Sequence, residues 1–179
     1  MTVNSDVLNS QAIDLASHGD YPEAIACFIS ALKMDRGNYL LWYNLGVTYR
    51  DAGNLEAARE ALLAAYKLND SDEDVLDSLS LVLLAMDREA EGFKYLEKAL
   101  EINPHSPHLW NNTGVFYFHQ GEYAKACDAF EHAVSLSPHY YDALYNLRDT
   151  YTELGNKVGA EECARRLKEL KDIQGAPDA

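Results

Sequence analysis

The sequence predicts an all-α protein built from pairs of antiparallel helices. Apolar residues recur at helical spacing, turn residues fall at fixed places between them, and the whole pattern returns every 34 residues. Only five prolines and ten glycines occur in 179 residues, and no alternating run typical of a strand competes with the helical pattern. A single helix pair cannot bury its own apolar stripe, so we expect neighbouring pairs to stack.

The stretch from Pro107 to Tyr140 shows the pattern most clearly. Its first half places bulky and small side chains on one helical stripe, at Trp110, Thr113, Gly114 and Tyr117. Its second half does the same at Tyr123, Ala126, Phe130 and Ala133. Gly121 stands where the first helix should stop, and Pro138 follows where the second must end. This stretch therefore predicts two amphipathic helices joined by a tight turn.

This order of residues resembles the tetratricopeptide repeat, or TPR, whose signature is W-x2-L-G-x2-Y followed by A, F, A and P. With Pro107 as position 1, the stretch matches the signature at nine positions and departs at Thr113, position 7. The resemblance implies a right-handed superhelical solenoid of antiparallel helix pairs. It also implies that the first helix of each pair lines an inner groove.

Steps of 34 residues from Pro107 divide nearly the whole chain without an insertion or a deletion. We predict one TPR domain at residues 5–174, an N-terminal extension at residues 1–4 and a disordered tail at residues 175–179. Its five repeats are residues 5–38, 39–72, 73–106, 107–140 and 141–174. The fifth repeat departs at position 8, where Arg148 replaces a small residue. That side chain is expected to tilt the last helix pair or to run along the surface.

Charge and hydropathy exclude several classes of partner. The formal net charge is −14, which argues against nucleic acid and anionic membrane, since both require basic patches. The middle repeat carries eight acidic residues against three basic ones and is the most acidic of the five. No apolar stretch is long enough to insert into a membrane. The N-terminus lacks the features of a secretory signal or an organelle presequence, so we expect a cytoplasmic protein.

Enzymatic motifs are absent from the sequence. It contains no HExxH, no glycine-rich phosphate loop and no nucleophile elbow. The six histidines do not pair with cysteines at metal-ligand spacing, and His105 with His108 is interpreted as solvated surface rather than a metal site. The three cysteines are widely separated and are expected to be small core or near-surface thiols. We therefore predict no catalytic residues, no metal and no cofactor.

The partner-binding residues are predicted on the first helix of each repeat. Positions 4, 7, 8 and 11 face the second helix, which leaves positions 2, 5, 6, 9, 12 and 13 on other faces. In proteins with TPRs, those positions line the groove that takes extended peptides or helices. The residues that we predict to form it are Tyr43, Asn44, Arg50, Asp77, His108, Asn111, Asn112, His119, Tyr145 and Asn146.

Two features of this set have alternative interpretations. Asparagine recurs at position 6, where its amide can donate to and accept from a peptide backbone, similar to the asparagine ladder of O-linked N-acetylglucosamine transferase. Alternatively, asparagine is simply common at that position. The aromatic residues Tyr43 and Tyr145 can anchor a bound side chain or pack against neighbouring helices. Packing is the favoured interpretation for Phe118.

One TPR subtype binds the C-terminal carboxylate of chaperones through basic residues at positions 5 and 9. Here those positions hold Asn9, Ile13, Asp77 and Leu81, so a chaperone-tail receptor is not expected. The acidic residues on the first helix of the middle repeat favour a neutral or basic partner segment instead.

The function predicted from these observations is a non-catalytic adaptor that binds a partner protein or peptide in the groove. One alternative is a self-assembling scaffold, in which the terminal faces around Val7 and Leu8 or the last helix join copies into a homo-oligomer. Another is a regulatory subunit of a larger complex or a small-molecule sensor. The repeat itself specifies a scaffold and does not identify the ligand.

Overall fold

The structure, a computed structural model, describes residues 4–174. In this range the chain forms ten α-helices and no strand. The helices are α1 (Ser5–Ser17), α2 (Tyr21–Met34), α3 (Tyr39–Asp51), α4 (Leu55–Leu68), α5 (Glu73–Ala85), α6 (Glu89–Ile102), α7 (Pro107–His119), α8 (Tyr123–Leu136), α9 (Tyr141–Glu153) and α10 (Lys157–Gln174). The predicted tail at residues 175–179 and the first three residues of the predicted N-terminal extension lie outside the described residues.

The helices associate in consecutive pairs. Each odd-numbered helix packs against the even-numbered helix that follows it, and the connecting turns are too short for any arrangement but an antiparallel one. The odd-numbered helices begin at Ser5, Tyr39, Glu73, Pro107 and Tyr141, the residues at which the predicted repeats start. The predicted all-α fold of antiparallel helix pairs is confirmed.

The helices group into two compact units that divide after Ile102. Helices α1–α6 form the first unit, and helices α7–α10 form the second. The first unit buries Phe28 and Leu41 in one apolar cluster and Leu62 and Leu83 in another. The second unit buries a cluster that includes Phe130, Leu144 and Leu147. That residues 5–174 form one cooperative domain stays a prediction.

Polar residues cap several helices at their first turn. The side chain of Asn4 accepts a hydrogen bond from the backbone N–H of Val7 at the start of α1. Asp72 accepts one from the backbone N–H of Val75 at the start of α5, and the hydroxyl of Tyr39 donates a further bond to Asp72. These caps satisfy backbone donors that have no partner within the helix and help to define where each repeat begins.

Glycine at position 8 allows the two helices of a pair to approach closely. A Cβ atom added to Gly114 would lie 2.5 Å from Cε1 of Phe130, and one added to Gly46 would lie 2.7 Å from Cγ of Leu62. Both distances are shorter than any normal carbon contact, so neither α7–α8 nor α3–α4 can accommodate a larger residue without moving. This steric requirement explains why the pattern returns with so little variation in the second and fourth repeats.

The tryptophan at position 4 has a polar role as well as an apolar one. The indole N–H of Trp42 donates to the backbone carbonyl of Arg36 at 3.0 Å, and that of Trp110 donates to the carbonyl of Pro104 at 2.8 Å. In both cases the acceptor lies six residues earlier, in the loop that enters the repeat. The ring therefore ties that loop to the first helix.

The turn within each repeat requires a left-handed residue at position 15. Gly19, Gly53, Gly121 and Gly155 occupy it with φ of +86°, +78°, +75° and +71°. The third repeat has Asp87 there instead, with φ of +58°. Residues other than glycine adopt this region at a steric cost, which is smaller for aspartate and asparagine than for most others.

We expect Asp87→Gly to raise the free energy of unfolding by about 0.5–1 kcal/mol, because glycine removes the steric cost of the left-handed conformation. Urea unfolding followed by far-UV circular dichroism measures this change. Gly53→Asp is the matched control in the second repeat and should lower the free energy of unfolding. Equal stabilities for the two variants and the unmodified protein would contradict the assignment of strain to Asp87.

Candidate functional site

Each unit has a candidate site on the surface formed by its own first helices, and we call this surface the first-helix face of the unit. In the first unit it consists of α1, α3 and α5, and in the second unit of α7 and α9. Within each unit neighbouring first helices contact one another directly. The first unit holds four predicted residues, Tyr43, Asn44, Arg50 and Asp77, and the second unit holds the other six, His108, Asn111, Asn112, His119, Tyr145 and Asn146.

Asparagine side chains connect adjacent first helices. The amide of Asn146 on α9 donates to Oδ1 of Asn111 on α7 at 2.9 Å. In the first unit, Asn44 on α3 donates to Oδ1 of Asn9 on α1 at 3.0 Å. The asparagine at position 6 thus bonds to an asparagine at position 5 of the preceding repeat. Sequence reasoning missed Asn9 as a partner, although asparagines 35 residues apart in two places were a usable signal.

These bonds change how the asparagines can be interpreted. One N–H of Asn44 and one of Asn146 are used within the protein, and the side chains of Asn111 and Asn112 are buried. Asp77, predicted in the same groove, is also buried. The amides therefore help to hold neighbouring repeats together, and contact between these residues and a partner stays a prediction.

A pocket opens between α7, α8 and α9 in the second unit, and we call it the α7–α9 pocket. It has a volume of about 120 Å³ and is lined by Val115, Phe118, Phe130, Asn146 and Asp149. Phe130, only 1% exposed, forms its floor as part of the core. Phe118 packs edge-on against Tyr123, with ring centroids 5.1 Å apart. The side chain therefore packs against a neighbouring helix, the interpretation favoured from sequence, and it also lines the pocket.

The first unit contains an equivalent pocket of about 190 Å³, and its lining residues include Ile13, Ala16, Phe28, Asn44 and Val47. Each of these five lies 102 residues, or three repeats, before its counterpart in the α7–α9 pocket. Two replacements separate the pockets chemically: Phe118 stands where the first unit has Ala16, and Asp149 where it has Val47. The first-unit pocket is also lined by Ser17, Thr48 and Asp51, so each pocket has one acidic residue, and the α7–α9 pocket is the smaller and more aromatic of the two.

Arg148 runs along the surface beside this pocket. Its Nε and Nη2 atoms both donate to Oδ1 of Asp149, at 2.9 Å and 2.7 Å. Its guanidinium group lies 4.1 Å from the ring centroid of Tyr145, and the bond to Asp149 raises the pKa of Arg148 further. The side chain is 31% exposed, which agrees with the alternative that it runs along the surface.

The remaining predicted residues lie at the edges of the first-helix face. Arg50 forms an ion pair with Asp51 at 2.9 Å. Tyr43 is half-buried, and burial raises the pKa of its hydroxyl. Nδ1 of His108 lies 2.9 Å from the hydroxyl oxygen of Tyr140, while His119 is exposed at the end of α7. Tyr145 is 43% exposed and is the large side chain most available to a ligand in this group.

The two buried cysteine thiols, Cys127 and Cys163, are unsuited to nucleophilic chemistry. Burial and a hydrogen bond to Glu131 raise the pKa of Cys127 to about 12, and burial raises the pKa of Cys163. The hydroxyl of Tyr151 donates to the same Glu131 carboxylate at 2.7 Å. Because the thiolate is the reactive form of cysteine, these two buried thiols act as packing groups near α9.

Residues 4–174 contain neither a cluster of metal-binding side chains nor a helix suited to span a membrane. No three or more histidine, cysteine, aspartate or glutamate side chains are grouped so that they could hold a metal ion. None of the helices in this range combines the length and the apolar character required to cross a bilayer.

Comparison with known protein families assigns the chain. Three models of the tetratricopeptide repeat family match it consecutively, at residues 9–73, 74–106 and 107–140, and together they cover more than half of the sequence. The chain belongs to the tetratricopeptide repeat family. The predicted family and the predicted all-α solenoid fold are therefore confirmed.

Curated TPR relatives are longer proteins. Human tetratricopeptide repeat protein 6 is 28% identical over 79% of this chain and 27% of its own length. The bovine BBSome complex member BBS4 is 28% identical over 78% of this chain and 27% of its own length. The barley enzyme SPINDLY, a probable UDP-N-acetylglucosamine–peptide N-acetylglucosaminyltransferase, is 29% identical over 75% of this chain. This TPR chain corresponds to only 15% of that enzyme.

Solved TPR structures match over nearly the whole chain. MamA from Desulfovibrio magneticus RS-1 superposes with a TM-score of 0.82 at 17% identity, covering 98% of this chain and 99% of that one. YrrB, described as a TPR protein with an unusual peptide-binding site, superposes with a TM-score of 0.69 at 21% identity, covering 94% and 87%. At these identities the likeness shows the fold alone.

Proposed function

We propose that this protein is a non-catalytic cytoplasmic scaffold that binds a peptide or helix of a partner protein on its first-helix face. The family assignment supports a protein-interaction scaffold in general terms. Binding of a partner segment on the first-helix face is supported mainly by the α7–α9 pocket. This pocket lies on the same helices as the exposed ring of Tyr145.

Tyr145 has the properties of a binding anchor. Its ring is 43% exposed, yet the guanidinium group of Arg148 lies 4.1 Å from the ring centroid and limits its motion. Tyrosine supplies a large contact area at a small cost in side-chain entropy, which is why it is frequent among residues that dominate binding energy. A partner segment that covers this ring would gain affinity from surface that is already ordered.

Charge and relatives support the same proposal. The net charge of −14 favours a neutral or basic partner segment over an acidic one. The structurally similar YrrB is described as having a peptide-binding site, which agrees with use of this fold to hold a peptide.

Affinity capture from the native source, followed by mass spectrometry, tests the proposal. We expect Tyr145→Ala to reduce recovery of the partner by about tenfold or more, the range for loss of a central aromatic contact. Leu68→Ala is the matched control, because Leu68 is similarly exposed at 49% but lies at the end of a second helix, α4. Equal recovery with both variants would contradict binding at Tyr145.

Self-assembly is the second candidate function. Val7 and Ile13 on α1 are 52% and 47% exposed, and Leu154 and Val158 are exposed where α9 joins α10. Apolar side chains on the outer helices of a repeat array can join copies of one chain into a homo-oligomer. Light scattering across a concentration series tests this candidate, and a strict monomer at high concentration removes it.

A further inference from the structure

The α7–α9 pocket has two acceptor oxygens that receive no hydrogen bond within residues 4–174. One N–H of the Asn146 amide donates to Asn111, so that side chain keeps its Oδ1 acceptor and its second N–H. Both bonds from Arg148 end on Oδ1 of Asp149. Among residues 4–174, no side chain or backbone group donates to Oδ1 of Asn146 or to Oδ2 of Asp149.

The rest of the lining is apolar. Val115 and Phe118 contribute side walls, and Phe130 lies at the floor. Such a lining accepts an aliphatic chain, while the two free acceptor oxygens favour a group that carries several N–H donors. A carboxylate or a phosphate would lie against the carboxylate of Asp149 and could bond only to the second N–H of Asn146, so the lining of the pocket disfavours anions. The ring of Phe118 adds a favourable surface for a cation.

Arginine and lysine side chains differ in how well they can hydrogen-bond to the acceptor oxygens of the α7–α9 pocket. Arginine binds a carboxylate best through two parallel bonds that use both of its oxygens. Here Arg148 of the protein already occupies Oδ1 of Asp149, so a second guanidinium group cannot form that fork. An ammonium group is a compact charge with three rotatable donors, and it can use Oδ2 of Asp149 and Oδ1 of Asn146 separately.

We propose that the α7–α9 pocket binds the side chain of a lysine in the partner segment. The four-carbon stem of that lysine lies against Val115 and Phe118, and its ammonium group bonds to Asp149 and Asn146. This inference rests on the proposed function, because it names the chemistry of the partner segment that the first-helix face holds. The two units differ in where their pockets place a carboxylate: the first unit has Val47 in place of Asp149, and its pocket carries Asp51 instead, four residues further along α3.

Nuclear magnetic resonance titration of the full, 15N-labelled chain tests the proposal directly. The probe is Nα-acetyl-lysine amide, with Nα-acetyl-norleucine amide as a control that keeps the four-carbon stem and lacks the charge. We expect the lysine probe to shift the backbone amides of Val115, Phe118, Asn146 and Asp149, and to bind about tenfold more tightly than the norleucine probe. Nα-acetyl-arginine amide should bind more weakly than the lysine probe.

Two variants locate the interaction. Asp149→Asn should weaken binding of the lysine probe by about tenfold, since it removes the charged acceptor. The matched gain-of-function variant is Val47→Asp in the first unit, which should create new probe-dependent shifts near Asn44. Far-UV circular dichroism checks that each variant remains helical. If Asp149→Asn does not fold, the comparison of the lysine and norleucine probes on the unmodified protein shows whether the pocket selects the ammonium group.

The results separate this inference from the proposed function. Equal binding of the lysine and norleucine probes, or lysine-dependent shifts that are as large near Val47 as near Asp149, would overturn the lysine site. The proposed function would then still stand if Tyr145→Ala abolished partner capture. Selective binding of the lysine probe without any effect of Tyr145→Ala on capture would support the pocket and contradict the proposed surface.

Discussion

Phe130→Ala is expected to lower the free energy of unfolding by about 3–5 kcal/mol, the largest effect of any single substitution considered for this protein. The ring is 1% exposed and belongs to the apolar cluster of the second unit, together with Leu144 and Leu147. Its removal loses apolar burial and leaves a cavity between α7, α8 and α9. Urea unfolding monitored by far-UV circular dichroism measures the loss.

Phe118→Ala is the matched control for this prediction. Phe118 is the same residue type in the same unit, but it is half-buried and lines the α7–α9 pocket. Its truncation should therefore cost clearly less stability than that of Phe130, because less surface becomes exposed. A loss below about 1 kcal/mol for Phe130→Ala, or a larger loss for Phe118→Ala, would contradict the assignment of Phe130 to the core.

Gly114→Ala is expected to lower the free energy of unfolding by about 1–3 kcal/mol through overpacking. The added methyl group would lie 2.5 Å, 2.6 Å and 2.7 Å from three ring atoms of Phe130, and that buried ring has little room to move. The loss should appear even though alanine favours a helix by about 1 kcal/mol over glycine. The same urea unfolding experiment measures it.

A double-mutant cycle identifies the cause of that loss. Removal of the Phe130 ring creates space beside residue 114, so Gly114→Ala combined with Phe130→Ala should cost less than the sum of the single changes by about 1–3 kcal/mol. Gly121→Ala is the control for backbone effects, because no atom lies within 4 Å of an added Cβ there and only its φ of +75° is unfavourable. Additive losses in the cycle would exclude a steric clash with Phe130.

The sequence predicts the fold well because steric constraints in this fold are local and periodic. Glycine at positions 8 and 15 is required by close packing at Gly114 and by the left-handed turn at Gly121. The left-handed turn recurs in all five repeats and glycine at position 8 in the second and fourth, and the five first helices begin where the 34-residue spacing places them. The third repeat shows the tolerance of the pattern, since Asp87 adopts the same turn without glycine.

The candidate site was less predictable because its contacts join side chains from different repeats. The bond between Asn146 and Asn111 and the pairing of Arg148 with Asp149 depend on the distance between α7 and α9 and on side-chain rotamers. Helical periodicity specifies which face a residue occupies, but it does not specify the partner of an amide. The sequence indicated Tyr145 and Asn146 as site residues, whereas the α7–α9 pocket beside them could be identified only in the three-dimensional structure.

The two tryptophans that tie loops to first helices provide natural optical probes. The chain has two tryptophans, Trp42 in the first unit and Trp110 in the second. The indole ring of Trp110 lies 4.4 Å from the imidazole ring of His132, centroid to centroid, whereas Trp42 lies near Ile29, Leu32 and Lys33. Fluorescence of each single-tryptophan variant can therefore follow the melting of one unit at a time.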